Sequence, residues 1–215
     1  MESVSWATVV VEALTALIFF GLGELNARRR ERARERKEQE RSNKLNRFTW
    51  EDLIDGADKV GEHVFSRFKA DVVISFAGQG AIFANLVIAR FMDHKAARDV
   101  QLFIGKFIEK GTQLEPHVSN EFDRVTGERF DILLPKALRL GEKSWKIAVL
   151  DETVTTGFSM RAVRHHLTDL GYGQVFTASF VCCDAAKTID SHPVDYSAVQ
   201  SVDNKFRLPW GKSPL

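Results

Sequence analysis

The chain has 215 residues, with 30 basic and 29 acidic side chains and a formal net charge of +1, a balance that argues against a protein coated throughout for nucleic-acid binding. Its two cysteines, Cys182 and Cys183, are adjacent, which argues against a disulfide-stapled secreted scaffold and a structural zinc site and suggests a reducing compartment.

The first quarter is unlike the rest. Val4 to Leu22 is nearly all apolar and, at about 1.5 Å per helical residue, reaches about 30 Å, the thickness of a bilayer core. The run predicts one transmembrane helix within an anchor over residues 1–25. A buried core helix is the alternative, because the run is only just long enough and contains Glu12. A cleaved signal peptide is disfavoured, since no Lys or Arg precedes the run and no small-residue cleavage site closes it. Residues 1–25 carry no Lys or Arg, whereas Arg28, Arg29, Arg30, Arg32, Arg34 and Arg36 follow at once. The positive-inside rule therefore predicts a single-pass protein of the inner or plasma membrane with its globular part in the cytoplasm. Glu12 falls near mid-membrane, where a charge is costly and needs a partner; with one span, that partner is another chain. A homo-oligomer or a membrane partner is expected.

Residues 26–47 hold ten basic and four acidic residues, with Glu31 and Glu35 at helix-pair spacing among arginines. This predicts a solvated, charged helical stalk with no apolar seam for a coiled coil, placed where it meets anionic lipid headgroups. What remains of the chain is slightly acidic, so no broad nucleic-acid surface is expected on the globular part.

Residues 48–215 have the pattern of one domain. Trp50, Leu53, Ile54, Ala57, Val60, Val64, Phe65 and Phe68 recur at helical spacing after Thr49, with Asp52 completing a capping box. Asp71 to Phe76 predicts a buried strand that runs into Ala77-Gly78-Gln79-Gly80 and a helix through Arg90. Strands follow at Val100 to Phe107, Phe130 to Leu134 and Val175 to Val181, the last after a helix broken by Gly171-Tyr172-Gly173. Lys110 to Arg129 is polar and aperiodic, and reads as a long loop, either a functional lid or a disordered excursion. Alternating strands and helices predict an α/β fold with an open parallel sheet flanked by helices.

The most informative segment is Lys146 to Leu170. Ile147 to Leu150 form an apolar β run, so Asp151 and Glu152 emerge at its carboxyl end, where open α/β sheets place their ligands. Paired carboxylates there accept hydrogen bonds from vicinal ribose hydroxyls or from water around Mg²⁺. Thr155, Thr156, Gly157 and Ser159 then supply hydroxyls and backbone N–H groups where a helix begins, an anion-binding design. Gly78 and Gly80 follow the earlier strand in the same way, either to bind an anion or simply to let the chain turn. An ordinary strand, turn and helix is the alternative for both segments.

Val149 to Ser159 resembles the phosphoribosyl-pyrophosphate (PRPP) signature of type I phosphoribosyltransferases: an apolar strand, two acids, two further residues, then Thr-Thr-Gly. Thr153 stands where that family commonly has an aliphatic residue, and Phe158 where Gly or Ala usually follows the glycine. The resemblance implies that Asp151 and Glu152 hold the ribose hydroxyls and Mg²⁺. It further implies that Thr153, Val154, Thr155, Thr156, Gly157, Phe158 and Ser159 surround the 5-phosphate, and that Ala77, Gly78, Gln79 and Gly80 meet the pyrophosphate. The basic residue frequent in the family's pyrophosphate loop is missing here.

The resemblance also implies a flexible loop near residues 110–129 that excludes water from the reaction centre, with Lys106, Lys110 and Lys136 near departing pyrophosphate; solvated surface lysines are the alternative. The ending is similar to that of purine and xanthine-guanine members, in which a C-terminal hood closes with Pro-Trp. Phe206 and Trp210 are accordingly candidates to stack on a base, or else core residues. Thr155 occupies the position of the acid that acts on 6-oxopurines, which argues against hypoxanthine or guanine salvage by that route. Two functions are expected from this resemblance: transfer of phosphoribosyl from PRPP to a nitrogenous acceptor, or non-catalytic nucleotide or PRPP sensing by a membrane effector of bacterial defence type.

Overall fold

The computed structural model describes residues 46–92, 100–189, 193–201 and 206–212. The apolar run, Glu12 and nearly all of the charged stalk lie outside the described residues. Among those described, no helix is long and apolar enough to cross a membrane. The chain divides into two compact units, Met1–Asn46 and Arg47–Leu215.

Helix α1 (Trp50–Gly61) begins at the expected capping box: the Thr49 side chain accepts from Asp52 N–H, and the Asp52 carboxylate accepts from Thr49 N–H. Its apolar stripe of Leu53, Ala57 and Val60 is fully buried. The helix continues as a π-helical stretch, Glu62–Phe68, which ends with Lys69 in the left-handed region at φ 62°. Strand β1 (Val72–Phe76) is buried at every residue, as a central strand covered on both faces must be.

Helix α2 (Gln79–Met92) leads away from β1, and β2 (Gln101–Glu109) returns parallel to it. The polar stretch before residue 130 was expected to be a loop without regular structure. Its second half instead forms a short helix α3 (Pro116–Glu121) and strand β3 (Phe122–Thr126), which pairs antiparallel with β4 (Phe130–Pro135). Alternation in β3 is confined to the buried Asp123 and Val125, and one of those two is an acid, so the apolar pattern is too short to register.

Strand β5 (Lys146–Val154), helix α4 (Phe158–Asp169), strand β6 (Gln174–Cys183), helix α5 (Asp184–Ile189) and strand β7 (Tyr196–Ser201) complete the main sheet. Strand order is β3-β4-β2-β1-β5-β6-β7. The five strands from β2 to β7 in that order are parallel, while β3 and β4 form an antiparallel edge. The sheet is therefore mostly parallel and flanked by helices, as the alternation of strands and helices predicts, with an antiparallel edge added to it. Two short antiparallel strands, β8 (Phe206–Leu208) and β9 (Gly211–Lys212), lie outside it.

Two buried clusters sandwich the sheet. Leu53, Val60, Phe83, Leu150 and Phe180 pack between α1, α2 and one face; Ile74, Val149, Met160, Val163 and Leu167 pack between α4 and the other. Each such fully buried side chain contributes about 1.5–3 kcal/mol of hydrophobic stabilisation.

Candidate functional site

Strand β1 sends its chain through α2 to β2 on one side, while β5 lies on the other side of β1. The carboxyl ends of β1 and β5 therefore form the switch point where open α/β sheets bind ligands. β1 and β5 pair only as far as Ser75 and Leu150, yet β5 continues alongside β6 to Val154 opposite Cys182. The buried Ser75 hydroxyl donates to the Leu150 carbonyl at 2.9 Å and closes the seam at that step. Asp151 and Glu152 come next, beyond the last β1 pair.

Side chains of consecutive strand residues normally diverge, but these two acids converge on Gly80 in the first turn of α2. A Cβ added to Gly80 would lie 2.7 Å from Asp151 Oδ1, 3.2 Å from Glu152 Oε2 and 3.3 Å from Ser75 Oγ. Gly80 is thus the seat of the acid pair. Gly78 serves the turn itself at φ 92°, with open space beside it, and Ala77 N–H donates to the Gly105 carbonyl at 2.7 Å. The positive end of α2 faces the two carboxyls and offsets part of their repulsion.

Glu152 is buried and Asp151 partly so. Burial, and then the adjacent Glu152 carboxylate, push the Asp151 carboxyl well above the ordinary carboxylate range; the Glu152 N–H, donating to Asp151 Oδ1 at 3.0 Å, acts the other way. Two carboxyls so close share a proton readily, and a cation would displace it.

Beyond the acids, Val154 turns into the core and Thr155-Thr156-Gly157 leads into α4. Gly157 caps the helix at φ 79°, and a Cβ there would meet the Pro193 ring at 2.8 Å. Conformation and close approach both demand glycine at this position. Among the described residues the hydroxyls of Thr155, Thr156 and Ser159 have no hydrogen-bond partner. The first N–H groups of α4 are likewise left over by helix geometry. Thr153 Oγ1 is buried, also without a partner among the described residues. Phe158 begins α4, and its ring lies 4.9 Å from the Arg161 guanidinium.

The Pro193 wall is held by contacts that sequence reasoning missed. Asp195 accepts from Thr177 N–H at 2.7 Å and from the Thr177 hydroxyl at 3.1 Å, and pairs with Arg164 of α4. A second tie lies within the antiparallel edge, beside α4. Arg139 grips the buried Asp123 through two bonds, of 2.6 and 2.9 Å, and His166 Nε2 lies 3.8 Å from the same carboxylate. His166 Nε2 is buried, and burial lowers its pKa. Neither tie has a sequence signal, because each joins residues from separate elements.

The three lysines contact the antiparallel edge and α3. Lys136 donates to the Ser119 carbonyl at 2.7 Å, Lys110 to the carbonyls of Gly127 and Glu128, and Lys106 lies over the Phe122 ring. All three brace the antiparallel edge and α3. Phe206 is buried in the core, edge-on to Phe48 at 5.9 Å, so its ring is spent on packing. Trp210 packs edge-on to Trp50 at 5.5 Å and lines an open depression of about 390 Å³ with Arg47, Phe48, Arg207, Leu208 and Pro209.

Among the described residues, no group of three or more His, Cys, Asp or Glu side chains is arranged to hold a metal ion. Asp151 and Glu152 by themselves fit Mg²⁺, a hard cation commonly held by one or two carboxylates, with substrate phosphates and water supplying the other oxygens.

The arrangement is the fold of type I phosphoribosyltransferases. A purine phosphoribosyltransferase from Pyrococcus horikoshii superposes with a TM-score of 0.55 at 18% identity, over 79% of this chain and 95% of that one. The Helicobacter pylori xanthine-guanine-hypoxanthine phosphoribosyltransferase gives 0.54 at 16%, over 77% and 93%. A hypoxanthine phosphoribosyltransferase from Staphylococcus aureus gives 0.52 at 12%, over 76% and 80%. No protein-family model matches the sequence, and no curated protein matches it. At these identities the likeness defines the fold, and function rests on the site.

Proposed function

We propose that the domain binds PRPP or a closely related ribose phosphate together with Mg²⁺ and transfers phosphoribosyl to a nitrogenous acceptor. The observation that carries this reading is the convergence of Asp151 and Glu152 on Gly80, at the sheet edge that also bears the unpartnered hydroxyls of Thr155, Thr156 and Ser159. In this reading the two acids accept from the ribose hydroxyls and hold Mg²⁺. Bound Mg²⁺ supplies charge to the pyrophosphate as it leaves. Thr155 to Ser159 and the start of α4 orient the 5-phosphate, and Gly78 and Gln79 offer backbone N–H groups at the start of α2. Catalysis of this kind is positioning and charge stabilisation, with no protein nucleophile.

A non-catalytic PRPP or nucleotide sensor is the second reading, favoured by one observation. Lys106, Lys110 and Lys136 are engaged with the antiparallel edge, and the glycine turn carries no base of its own. The proposal includes a membrane anchor at residues 1–25, a charged stalk, a cytoplasmic domain and association through the helix containing Glu12, all supported by the hydropathy and charge of the sequence. Titration of the full-length protein with PRPP, with and without Mg²⁺, tests ligand binding, and pyrophosphate release with a panel of acceptors separates enzyme from sensor. Asp151→Ala with Glu152→Ala should abolish binding in both cases; binding that survives the pair overturns both readings.

A further inference from the structure

Strand β2 does not stop where its neighbour β1 does. Its last pair with β1 is Gly105 opposite Phe76, and it runs on to Glu109. Residues 106–109 thus overhang the carboxyl end of β1 by about 13 Å. The turn that leaves β1 is fastened to the foot of this overhang, because Ala77 N–H donates to the Gly105 carbonyl at 2.7 Å. The overhang therefore stands beside Ala77-Gly78-Gln79-Gly80, where the acid pair converges.

The two faces of the overhang differ in chemistry. Alternation along β2 puts Phe107 on one face and Lys106 with Ile108 on the other, where Lys106 lies over the Phe122 ring. Phe107 packs on Phe76 with ring centroids 4.8 Å apart, and edge-on to Phe130 of β4 at 6.4 Å. Phe130 is the diagonal neighbour of Phe107, whose direct partner is Ile132. Phe76 and Ile132 belong to the buried cluster that packs on α4, so the rings lie on the sheet face that carries α4 and the turn leading into it. Phe76 is buried, whereas Phe107 is 40% and Phe130 51% exposed. The row of rings begins in the core and ends in solvent beyond the tip of β1.

Exposed rings at a ligand edge suit a different group from the one lysines suit. A pyrophosphate asks for charge, whereas a phenyl ring offers a flat apolar face to a nucleobase. The glycine turn carries no basic side chain, and on the α4 face of the overhang the residue beside that turn is Phe107. β5 and β2 flank β1, so the turn after β5 and the exposed rings stand two strand spacings apart, about 10 Å, with the acids and Gly80 between them. Phosphate donors, then carboxyls for ribose hydroxyls, then an aromatic face is the order of groups along a nucleotide.

We propose that Phe107 and Phe130 form a base-stacking ledge and that the ligand this pocket fits is a nucleoside 5′-monophosphate. Its phosphate lies at Thr155 to Ser159, its ribose hydroxyls on Asp151 and Glu152, and its base against Phe107. The inference rests on the ribose-phosphate reading of the acids and the α4 turn, which enzyme and sensor share. Stacking tolerates every base because each has a π face, and the wider purines cover more of the ring pair.

Calorimetric titration of the full-length protein with AMP, CMP, ribose 5-phosphate and PRPP, each with and without Mg²⁺, tests the ledge. AMP should bind at least about tenfold more tightly than ribose 5-phosphate, equivalent to about 1.4 kcal/mol, with CMP between them. Phe107→Ala should abolish that difference, and Phe107→Trp, which restores a flat ring, should return it. Far-UV circular dichroism checks that each variant folds, and sedimentation velocity follows self-association. A preference for AMP that survives Phe107→Ala overturns the ledge, as does a Phe107→Ala variant whose one change is loss of self-association, which would assign the rings to contact between copies. If ribose 5-phosphate or PRPP binds and AMP binds no better than ribose 5-phosphate, the ledge alone fails. If none of the four binds, the ribose-phosphate reading fails and the ledge with it.

Discussion

Gly80→Ala is the sharpest probe of the acid pair, because the added atom is a single methyl aimed at both carboxyls. It would sit 2.7 Å from Asp151 Oδ1 and 3.2 Å from Glu152 Oε2, so at least the Asp151 carboxyl must move. Overpacking of this kind costs about 1–3 kcal/mol, whereas replacing Gly by Ala in a helix returns about 1 kcal/mol. Net stability should therefore fall by only about 0–2 kcal/mol, small enough for the fold to survive. Binding should suffer more. Two carboxyls that no longer converge lose shared contact with the ribose hydroxyls and Mg²⁺, and loss of one charge-assisted bond of about 1.5–3 kcal/mol weakens affinity at least tenfold. Gly78→Ala is the control: at φ 92° with open space around it, it should cost about 1–2 kcal/mol of backbone strain without touching the acids. Urea denaturation and calorimetric titration with PRPP and Mg²⁺ read the two quantities separately. Wild-type affinity in Gly80→Ala would refute the reasoning, since the pair would then be doing nothing at the site its geometry indicates.

Three other outcomes are expected. The raised Asp151 pKa means that the folded state holds a proton that the unfolded chain releases near the ordinary carboxylate value, so this group's contribution to stability is full below that value and is lost as pH rises toward its folded pKa. The melting temperature of the ligand-free protein should fall with pH across that window, and Asp151→Asn should flatten the trend while eliminating Mg²⁺-dependent binding; an unchanged slope in the variant argues against the shared proton. Asp195→Ala removes the acceptor for Thr177 and Arg164, should cost about 1–3 kcal/mol in urea denaturation, and should weaken ribose-phosphate binding severalfold by freeing the Pro193 wall over Gly157; a loss of stability with unaltered affinity would limit Asp195 to a structural role. Arg139→Ala leaves the buried Asp123 carboxylate with only His166 nearby and should destabilise by about 1–3 kcal/mol, and should bring a rise in the His166 pKa measurable by NMR, because a neighbouring cation is lost and an unpaired carboxylate gained.

Where a local pattern sets the structure, the sequence is legible. The Thr49 capping box, the apolar stripe of α1, the uniformly apolar β1 and the turn into α4 at Gly157 each depend on a few consecutive residues. The convergence of Asp151 and Glu152 is less local. Sequence places them beside each other, but only the early end of β1, the continuation of β5 along β6 and the missing side chain at Gly80 bring both carboxyls to one point. The role of Gly80 was open between anion binding and plain turning, and its position against the acids adds a third use that spacing does not express. β3 was missed because an acid occupies one of its two inward positions, stabilised there by Arg139 from beyond the next strand. Such pairings have no signature along the chain, and the same is true of Lys106 and Lys136, whose charge suggested chemistry and whose contacts are with the edge hairpin and α3.

The acid pair also bears on how the site can switch. Packing two carboxyls together against a buried serine is unfavourable when both are ionised, and it raises the proton affinity of the Asp151 carboxyl. In the proposed reading, cation binding at the acids would release that proton at the tip of β5, from which Thr155 and Gly157 lead directly into α4. α4 packs beside the antiparallel edge at His166 and Asp123, and is tied to the β7 side through Arg164 and Asp195. A change at the acids therefore has physical routes to both edges of the sheet, and those routes exist whether the bound ribose phosphate is turned over or only sensed. Enzyme and sensor differ in what happens at the leaving pyrophosphate, which is why pyrophosphate release, and not affinity, is the measurement that separates them.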